Sequence, residues 1–315
     1  MNVHTFYKTV LVTGGSGLVG KAMQKISKNY YLQFHFLSSQ DANLKSYQET
    51  LTCFSKYKPD YVIHLAAQVG GLYKNMKDQV SMLEDNLEIN LNVLRVCHFL
   101  NVSKVVCCLS TCIFPDKICY PIQENKLHEG PPHTSNFGYS YAKRMLEIQC
   151  KAYQETFGRN YICVIPCNIY GEDDNFSLEN GHVIPSLIHK CYLSHKNNTD
   201  FVIRGSGKAM RQFIHAEDLA KLLIWTLQSY RDFEPIILAS PEEYSIKEVV
   251  YMITTSFKFK GNIKWDTTYS EGQLKKTADT SKLKKLLPQF QYTNLPDGIN
   301  KTVDWFNQNY PRCRL

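Results

Sequence analysis

A glycine-rich turn between a strand and a helix constrains this chain more than any other feature. The run Thr9-Val10-Leu11-Val12-Thr13 predicts a buried strand, and residues 18–28 have helical periodicity. Glycines between such elements allow a tight turn, a close approach of the backbone to a pyrophosphate, and close packing of helix on strand. The first N–H groups of the helix then face the phosphates. The dinucleotide contacts expected from this turn are Gly14, Ser16, Gly17, Leu18, Val19 and Gly20.

Strands and helices alternate through the first half of the chain. Short apolar runs at 33–37, 61–65, 105–109 and 161–166 predict further strands, and 82–100 predicts a long helix. This alternation is typical of a parallel, doubly wound sheet with right-handed crossovers, that is, an α/β Rossmann fold. Ligand sites in such sheets lie beyond the carboxyl ends of the strands. Polar or small residues follow the strands there, at 66–71, Ser110 to Cys112 and Asn168.

The character of the chain changes after residue 171. A short strand at 201–204 precedes 205–211, which reads as a flexible basic loop. Residues 216–229 and 235–239 could return to the sheet as its last helix and strand. We therefore expect two unequal domains, with a smaller α+β domain closing over the carboxyl edge. The expected divisions are 1–170 plus about 215–240 for an NADP-binding domain, and 171–214 plus about 241–315 for a substrate domain.

Tyr139 and Lys143 form the strongest candidate for acid–base chemistry. They are four residues apart, so on a helix both side chains leave the same face. A phenol has a pKa of about 10, and a nearby ammonium would pull that pKa toward the working range. Ser110 follows the strand 105–109 and could share a carbonyl oxygen with the phenol.

The spacing alone does not identify this pair as catalytic. Tyr73 with Lys77, and Tyr192 with Lys196, have the same spacing in this chain. Most such pairs on helices are surface or dimer contacts. The position of Ser110, at the end of an upstream strand in the same alternating pattern, favours Tyr139.

The end of the second strand bears on the choice of cofactor. NAD-preferring folds usually place a carboxylate there for the ribose 2′-hydroxyl, whereas here Ser38, Ser39 and Gln40 stand first and Asp41 comes later. Because no carboxylate directly follows this strand to repel a 2′-phosphate, the sequence favours NADPH. The further cofactor contacts that we expect are Ser38, Ser39, Asp41, Leu65, Ala66, Ala67, Tyr139, Lys143, Pro166, Asn168 and Ile169.

Composition excludes several classes of function. The formal charge is +7, but Lys and Arg are spread along the chain without a nucleic-acid-binding arm. Small phosphorylated ligands or a merely solvated surface account for this charge. No apolar run approaches the roughly 18 residues that cross a bilayer, and no signal peptide precedes the first strand. Eleven cysteines without a C-x-x-C pair indicate reduced thiols in the cytoplasm. We expect no nucleic-acid or membrane partner and assign no metal site.

Taken together, these residues resemble the extended short-chain dehydrogenases/reductases and, more narrowly, the GDP-L-fucose synthases. The resemblance covers essentially the whole chain. The segments that carry it are 13–20, 64–71, 110–115, 139–143, 181–185, 210–213, 266–268 and 272–277. Two positions depart from the family: Arg204, where an aromatic residue often stands, and Gln40, where a Lys is often found.

The resemblance implies a specific reaction. Members of the family convert GDP-4-keto-6-deoxy-D-mannose to GDP-L-fucose with NADPH, inverting C3 and C5 and then reducing the C4 ketone. Ser110, Tyr139 and Lys143 would serve the carbonyl, and Cys112 and His182 would be the acid–base pair. His182 would also contact the cofactor. The implied contacts of the GDP-sugar are Asn168, Val183, Lys190, Arg204, Arg211 and Lys276, and the implied homodimer forms through the helices at 82–100 and 139–157.

Chemistry supports this implication independently. Inverting a carbon next to a ketone needs a base on one face and an acid on the other. A thiol and an imidazole both exchange protons near neutral pH, as Cys112 and His182 would have to do. Non-catalytic roles also fit both residues: a free Cys is commonly a small buried hydrophobe, and a His at a helix start can simply cap the helix or pack.

Two other functions compete with this one. A 4,6-dehydratase of the same fold carries an Asp-Glu pair after the Thr, where this chain has Cys112-Ile113, and a 4-epimerase would not need Cys112. A nucleotide-sensing module that lost catalysis would not need to keep Ser110, Tyr139 and Lys143 together.

Overall fold

The computed structural model describes residues 7–269 and 272–315. Its strands are β1 (Lys8–Thr13), β2 (Leu32–Leu37), β3 (Tyr61–His64), β4 (Lys104–Cys108), β5 (Tyr161–Pro166), β6 (Asn168–Tyr170), β7 (Phe201–Arg204), β8 (Met210–His215), β9 (Ile236–Leu238), β10 (Glu243–Ser245) and β11 (Ile263–Asp266). Its helices are α1 (Leu18–Ser27), α2 (Tyr47–Tyr57), α3 (Leu72–Lys77), α4 (Gln79–Phe99), α5 (Phe137–Phe157), α6 (Val183–Asn197), α7 (Ala216–Ser229), α8 (Ile246–Ser256), α9 (Ser281–Leu286) and α10 (Leu295–Asn309).

A six-stranded parallel sheet forms the centre of the molecule, in the order β2-β1-β3-β4-β5-β9. Its inner strands are apolar on both faces because helices cover both, and β4 and β5 are buried along their whole length. The predicted return to the sheet is confirmed, since β9 pairs in parallel with β5 and places Ile236 opposite Val164. The doubly wound α/β fold class is therefore confirmed.

Helices pack on this sheet in two groups. Helix α1 packs against α7, and α4 packs against both α2 and α5. The sheet and these helices enclose one hydrophobic cluster, which runs from Val10 in β1 to Leu283 in α9.

A second hydrophobic cluster lies under β6, β7, β8, α6, α8 and α10. It is built on a three-stranded sheet, β10-β8-β6, and a two-stranded parallel sheet, β11-β7. The prediction of a flexible loop over 205–211 is wrong at its end. Met210 and Arg211 belong to β8, where they pair with Ser245 and Tyr244 of β10. Their partners come more than thirty residues later in the chain, so no local pattern could reveal the pairing.

The stretch for which the sequence predicts no leader lies largely outside the described residues, which begin at Tyr7. Within the described ranges, every helix is too short or too polar to span a lipid bilayer.

Candidate active site

A cavity of about 520 Å³ opens at the carboxyl ends of the central strands. Residues of both hydrophobic clusters contribute to its wall. Among the residues predicted from the sequence, the cavity is lined by Ser110, Cys112, Tyr139, Asn168, Ile169, His182, Val183, Lys190, Arg204, Arg211 and Lys276. The structure thus brings together the proposed proton-transfer groups and the proposed substrate cations.

The remaining predicted residues do not line this cavity. Lys143 is buried behind Tyr139. The other predicted cofactor contacts belong to the ends of neighbouring strands, the turns that follow them and the first turn of α1: Gly14, Ser16, Gly17, Leu18, Val19, Gly20, Ser38, Ser39, Asp41, Leu65, Ala66, Ala67 and Pro166.

Hydrogen bonds join the end of β4 to the start of α5 around the candidate catalytic residues. The Ser140 hydroxyl donates to the Cys112 carbonyl at 2.9 Å, and the Lys143 ammonium donates to the Cys108 carbonyl at 2.7 Å. Gly138 allows the start of α5 to pack closely on α4, since a Cβ there would lie 2.0 Å from the Gln79 carbonyl oxygen. The Ser110 side chain accepts from the Cys112 amide at 3.4 Å, which turns the chain directly after the strand.

Tyr139 and Lys143 do share one face of α5, with the ammonium 5.9 Å from the centroid of the ring. Burial, followed by the Cys112 and Cys108 thiols, raises the pKa of Tyr139 well above its ordinary value. The prediction that Lys143 brings this pKa toward neutrality is therefore wrong for the protein as described. Burial also lowers the pKa of Lys143. The phenol is consequently held protonated, which is the form that a proton donor requires.

Cys112 and His182 reach the cavity from different parts of the fold. Cys112 follows β4, whereas His182 immediately precedes α6 in the second cluster. His182 lines the cavity and is exposed to the solvent that fills it. Desolvation by the surrounding cavity wall, and secondly the Arg314 guanidinium, lowers the pKa of His182. The imidazole is therefore neutral near pH 7 and able to accept a proton.

Two cations lie on the wall near Cys112. Arg211 is held by backbone carbonyls, donating to Met210 at 2.8 Å and to Gln273 at 2.5 Å. Burial, assisted by Arg211, lowers the pKa of Lys276 to about 8, while Cys112 and Asp116 oppose this shift. These groups can bind an anion with little loss of side-chain freedom, because Arg211 is already fixed.

A second cationic group stands at the mouth of the cavity. The Arg204 guanidinium lies 5.1 Å from the ring centroid of Tyr73 and 4.6 Å from that of Tyr269. This Tyr73–Arg204–Tyr269 clamp joins α3 to the segments at β7 and β11. Lys190 is half-buried nearby, and burial, then Arg204, lowers its pKa. Sequence reasoning missed both tyrosines, because nothing in their local pattern points to Arg204.

The glycine turn after β1 fits a dinucleotide. Gly14 has φ +70°, and a Cβ on it would lie 2.8 Å from the Ala66 amide nitrogen, so β1 and the end of β3 leave room only for glycine. The Thr13 hydroxyl accepts from the Ala66 amide at 3.2 Å, which fixes this approach. Helix α1 starts after Gly17, without a side chain capping its first N–H groups. These groups are therefore oriented for phosphate oxygens.

The end of β2 differs in detail from the prediction. Asp41 folds back onto the strand end, where one carboxylate oxygen accepts from the Ser38 amide at 2.7 Å and the Ser38 hydroxyl at 2.8 Å. The backbone bond, and then the hydroxyl bond, lowers the pKa of Asp41. A carboxylate thus lies at this position, but hydrogen bonds within the chain occupy it.

One buried polar side chain in the cavity wall was not anticipated. Asn75 of α3 lines the cavity next to Ser135 and Asn136, and no spacing rule singles it out. Across residues 7–269 and 272–315, no group of three or more His, Cys, Asp or Glu side chains is placed to hold a metal ion.

Comparisons with known proteins agree with this geometry. The profile of the NAD dependent epimerase/dehydratase family matches residues 10–246. The chain is 50% identical to a GDP-L-fucose synthase of Dictyostelium discoideum, with 100% of both chains covered. It is 47% identical to a probable GDP-L-fucose synthase of Drosophila melanogaster, over 98% of this chain and 99% of that one.

A solved structure is similar over the same extent. The crystal structure of a GDP-L-fucose synthetase from Naegleria fowleri bound to NADP has a TM-score of 0.92 and 47% sequence identity, covering 98% of this chain and 95% of that chain. With the glycine turn, the Tyr139–Lys143 pair and the cavity already described, the chain belongs to the NAD dependent epimerase/dehydratase family, in the branch of the GDP-L-fucose synthases.

Proposed function

We propose that this chain converts GDP-4-keto-6-deoxy-D-mannose to GDP-L-fucose, by inverting C3 and C5 and then reducing the C4 ketone with NADPH. The observation that carries the proposal is the convergence of Cys112, His182, Tyr139 and Ser110 on one cavity. A thiol and an imidazole that come from different parts of the fold suit an epimerisation, because protons must leave and return on opposite faces of a carbon.

In the epimerisation, Cys112 and His182 act as the acid–base pair. Because its pKa is lowered, the imidazole of His182 is neutral and can accept a proton. Removing a proton next to the ketone places negative charge on the C4 oxygen. The Ser110 and Tyr139 hydroxyls donate to that oxygen and stabilise the enolate.

In the reduction, Tyr139 delivers the proton that the C4 oxygen needs. NADPH, when bound, supplies the hydride. The raised pKa of Tyr139 keeps the phenol protonated until the oxygen becomes basic. Lys143, fixed to the Cys108 carbonyl, then stabilises the phenolate that remains.

Each ligand is bound by a distinct set of residues. The cofactor phosphates bind to Gly14 to Gly20, and the cofactor packs against the backbone of Leu65 to Ala67. Its adenosine end faces Ser38 to Asp41. Its nicotinamide end faces Pro166 to Ile169 and His182. Arg211 and Lys276 bind the diphosphate of the GDP-sugar, since both cations line the cavity and lie close enough for Arg211 to lower the pKa of Lys276. Asn168, Val183, Lys190 and Arg204 contact the remaining part of that substrate.

Two domains carry these ligand sites. Residues 1–170 with about 215–240 form the NADP-binding domain, and 171–214 with about 241–315 form the substrate domain, of which 1–6 and 270–271 lie outside the described residues. The two hydrophobic clusters support this division, because the first surrounds the central sheet and the second surrounds α6, α8 and α10.

The chain acts as a homodimer through α4 and α5. Their outer faces carry exposed apolar side chains that soluble surfaces usually avoid, at Leu91, Phe137, Met145 and Ile148. Met145→Glu combined with Ile148→Glu should give a monomer in sedimentation, and an unchanged sedimentation coefficient would refute this interface. A cytoplasmic location is supported by the eleven cysteines, all of which are free thiols.

One assay tests the reaction. The protein is incubated with GDP-4-keto-6-deoxy-D-mannose and NADPH, loss of reduced cofactor is followed, and the sugar product is identified. GDP-L-fucose is the expected product. A product reduced at C4 with unchanged C3 and C5 would indicate a simple reductase. In a parallel incubation with GDP-mannose, conversion to the 4-keto-6-deoxy sugar would indicate a dehydratase and conversion to the C4 epimer a 4-epimerase. Binding without turnover of either sugar would indicate a sensing module.

A further inference from the structure

We infer that His189 of α6 is a positioning residue for His182, because it holds the loop before α6 against the helix and so fixes where the His182 imidazole lies in the cavity. This inference rests on the proposed function and deepens it, since His182 is the acid–base partner of Cys112. His189 is not among the residues that line the cavity, so its effect on the reaction passes through His182.

The loop at residues 175–181 is closed by its own hydrogen bonds. The Gly181 amide donates to the Ser177 carbonyl at 3.0 Å, and the Ser177 amide donates to the Asn175 side-chain oxygen at 3.1 Å. A Cβ on Gly181 would lie 2.5 Å from the Asn175 carbonyl oxygen, so the two ends of the loop lie in contact. A loop closed in this way shifts as a unit, and His182 is the residue directly after it.

His182 lies at the junction between this loop and α6. Its backbone carbonyl accepts from the Ser186 amide at 3.1 Å, as the first acceptor of the helix, whereas its own φ of −69° and ψ of 172° are extended. Its side chain makes no capping hydrogen bond, which leaves the imidazole free for the cavity. Because the backbone changes direction at this residue, a shift of the loop relative to α6 reorients the imidazole.

His189 attaches the loop to α6 about two helical turns beyond His182. The His189 Nδ1 lies 2.8 Å from the Phe176 carbonyl oxygen. A carbonyl oxygen can only accept, so Nδ1 carries the hydrogen and donates it. On the other side of the same residue, the Phe176 amide donates to the Arg314 carbonyl at 2.8 Å, and the buried Phe176 ring packs on Phe306 with centroids 4.7 Å apart. Phe176 is therefore the residue at which the loop is anchored.

The ring of His189 is itself held in place. Only 7% of the residue is exposed, and its ring packs on Phe306 and Tyr310, with centroid separations of 5.5 and 5.7 Å. Its bond to Phe176 is buried, so losing the donor leaves a buried carbonyl oxygen without this partner. We expect the loop to shift until that oxygen finds another donor, and His182 to shift with it. A displacement of about 1 Å at a reacting group can lower a rate by about 100-fold.

The test compares two substitutions at one position. His189→Phe keeps a ring between Phe306 and Tyr310 but has no donor, whereas His189→Asn places a side-chain N–H where Nδ1 was. Deuterium exchange at C3 and C5 of GDP-4-keto-6-deoxy-D-mannose is followed by NMR in deuterated water without reductant. We expect His189→Phe to exchange about 10- to 100-fold more slowly than the wild type, and His189→Asn to recover the wild-type rate to within about threefold.

The matched control is His195→Phe, which makes the same change at an exposed position of α6 and should exchange as the wild type does. Each rate is divided by the concentration of sites that bind NADPH, so that unfolded protein does not enter the comparison. A wild-type rate in His189→Phe overturns the inference, because the bond from the Gly71 amide to the Asn180 carbonyl, at 3.1 Å, would then suffice to hold the loop. Equally slow exchange in His189→Asn and His189→Phe also overturns it, since packing and not the hydrogen bond would be responsible.

A second variant decides the matter if His189→Phe does not fold. Gly181→Ala alters the half-buried loop itself, where the added methyl group meets the Asn175 carbonyl oxygen. Exchange should again be slow, and a wild-type rate in this variant overturns the inference while the proposed function stands. If the wild-type protein binds NADPH but exchanges neither carbon, the proposed function fails, and the inference fails with it.

Discussion

Two helices of this molecule carry the same Tyr-x-x-x-Lys pair in nearly the same geometry. On α5 the Lys143 ammonium lies 5.9 Å from the ring centroid of Tyr139, and on α6 the Lys196 ammonium lies 6.0 Å from that of Tyr192. Helix periodicity alone accounts for this similarity. The spacing therefore determines the contact and leaves the chemistry undetermined.

The surroundings of the two pairs differ in every respect that matters for proton transfer. Lys143 is buried and donates to the Cys108 carbonyl, and Tyr139 lines the cavity. Lys196 is exposed, and Tyr192 packs on the aromatic ring of Tyr310, with centroids 4.7 Å apart. The first pair faces a ligand and the second stabilises the packing of α6 on α10. An acid–base pair is thus defined by burial and by access to a cavity.

Removing one phenolic hydroxyl from each pair breaks the comparison most strongly. Tyr139→Phe should lower the rate of ketone reduction by about 1,000-fold, because the C4 oxygen loses its proton donor. Substrate should still bind, since the ring remains. Tyr192→Phe should leave the rate unchanged. Steady-state NADPH oxidation measures both, and near-normal oxidation by Tyr139→Phe would remove Tyr139 from the mechanism.

Two cysteines give the same contrast, since Cys112 lines the cavity and Cys119 is exposed. Cys112→Ser keeps the size of the side chain, but a serine hydroxyl gives up its proton far less readily than a thiol does. Deuterium exchange at C3 and C5, measured by NMR in deuterated water without reductant, should fall by about 100-fold. His182→Asn should lose proton delivery from the opposite face. The control Cys119→Ser changes an exposed thiol and should exchange normally. Wild-type exchange in Cys112→Ser would mean that this thiol only packs.

The pH dependence of kcat/KM tests a third lysine, Lys276. Burial lowers the pKa of Lys276 to about 8, so the fraction of this lysine that carries charge falls as pH rises through that value. Between pH 7 and pH 9 the kcat/KM of the wild type should therefore fall by about tenfold, since kcat/KM reports the free enzyme. Lys276→Arg, whose guanidinium stays charged, should remove this decline. A decline that persists unchanged in Lys276→Arg would assign it to another group.

The smallest effect concerns a carboxylate whose surroundings determine its role. The enzyme should use NADPH with clearly better kcat/KM than NADH, although Asp41 lies at the end of β2. Ser38→Ala releases the Asp41 carboxylate from one hydrogen bond and should lower the NADPH-to-NADH ratio by about fivefold, through repulsion of the 2′-phosphate. Ser39→Ala serves as the control. Equal efficiencies in the wild type would show that Ser38 to Gln40 is not a 2′-phosphate site.

Local patterns predicted those features that local physics determines. The glycine turn, the alternating strands and the helical face shared by Tyr139 and Lys143 all depend on residues close in sequence, and the structure has them at or within a few residues of the predicted bounds. The end of strand β8 was missed because its partner β10 comes some thirty residues later. The pKa of Tyr139 differs from the prediction for a similar reason, since the burial that raises it depends on the whole fold.

Among the site residues, the least predictable were those that act through long-range contacts. Asn75 is held in the cavity wall by a hydrogen bond to Asn136, which lies sixty-one residues later. Tyr73 and Tyr269 become neighbours only when α3 meets the segment after β11, around Arg204. Periodicity and spacing in a single sequence do not show which distant segments come into contact.

The Tyr73–Arg204–Tyr269 clamp has a consequence for how firmly the segments beside Arg204 are held. Each contact of an exposed guanidinium with a ring contributes about 0.5–1 kcal/mol, so the two together contribute about 1–2 kcal/mol. That favours the clamped mouth over an open one by a factor of about 5–30. Thermal motion alone therefore breaks these contacts often. The clamp biases the segments beside Arg204 toward the arrangement described here without locking them.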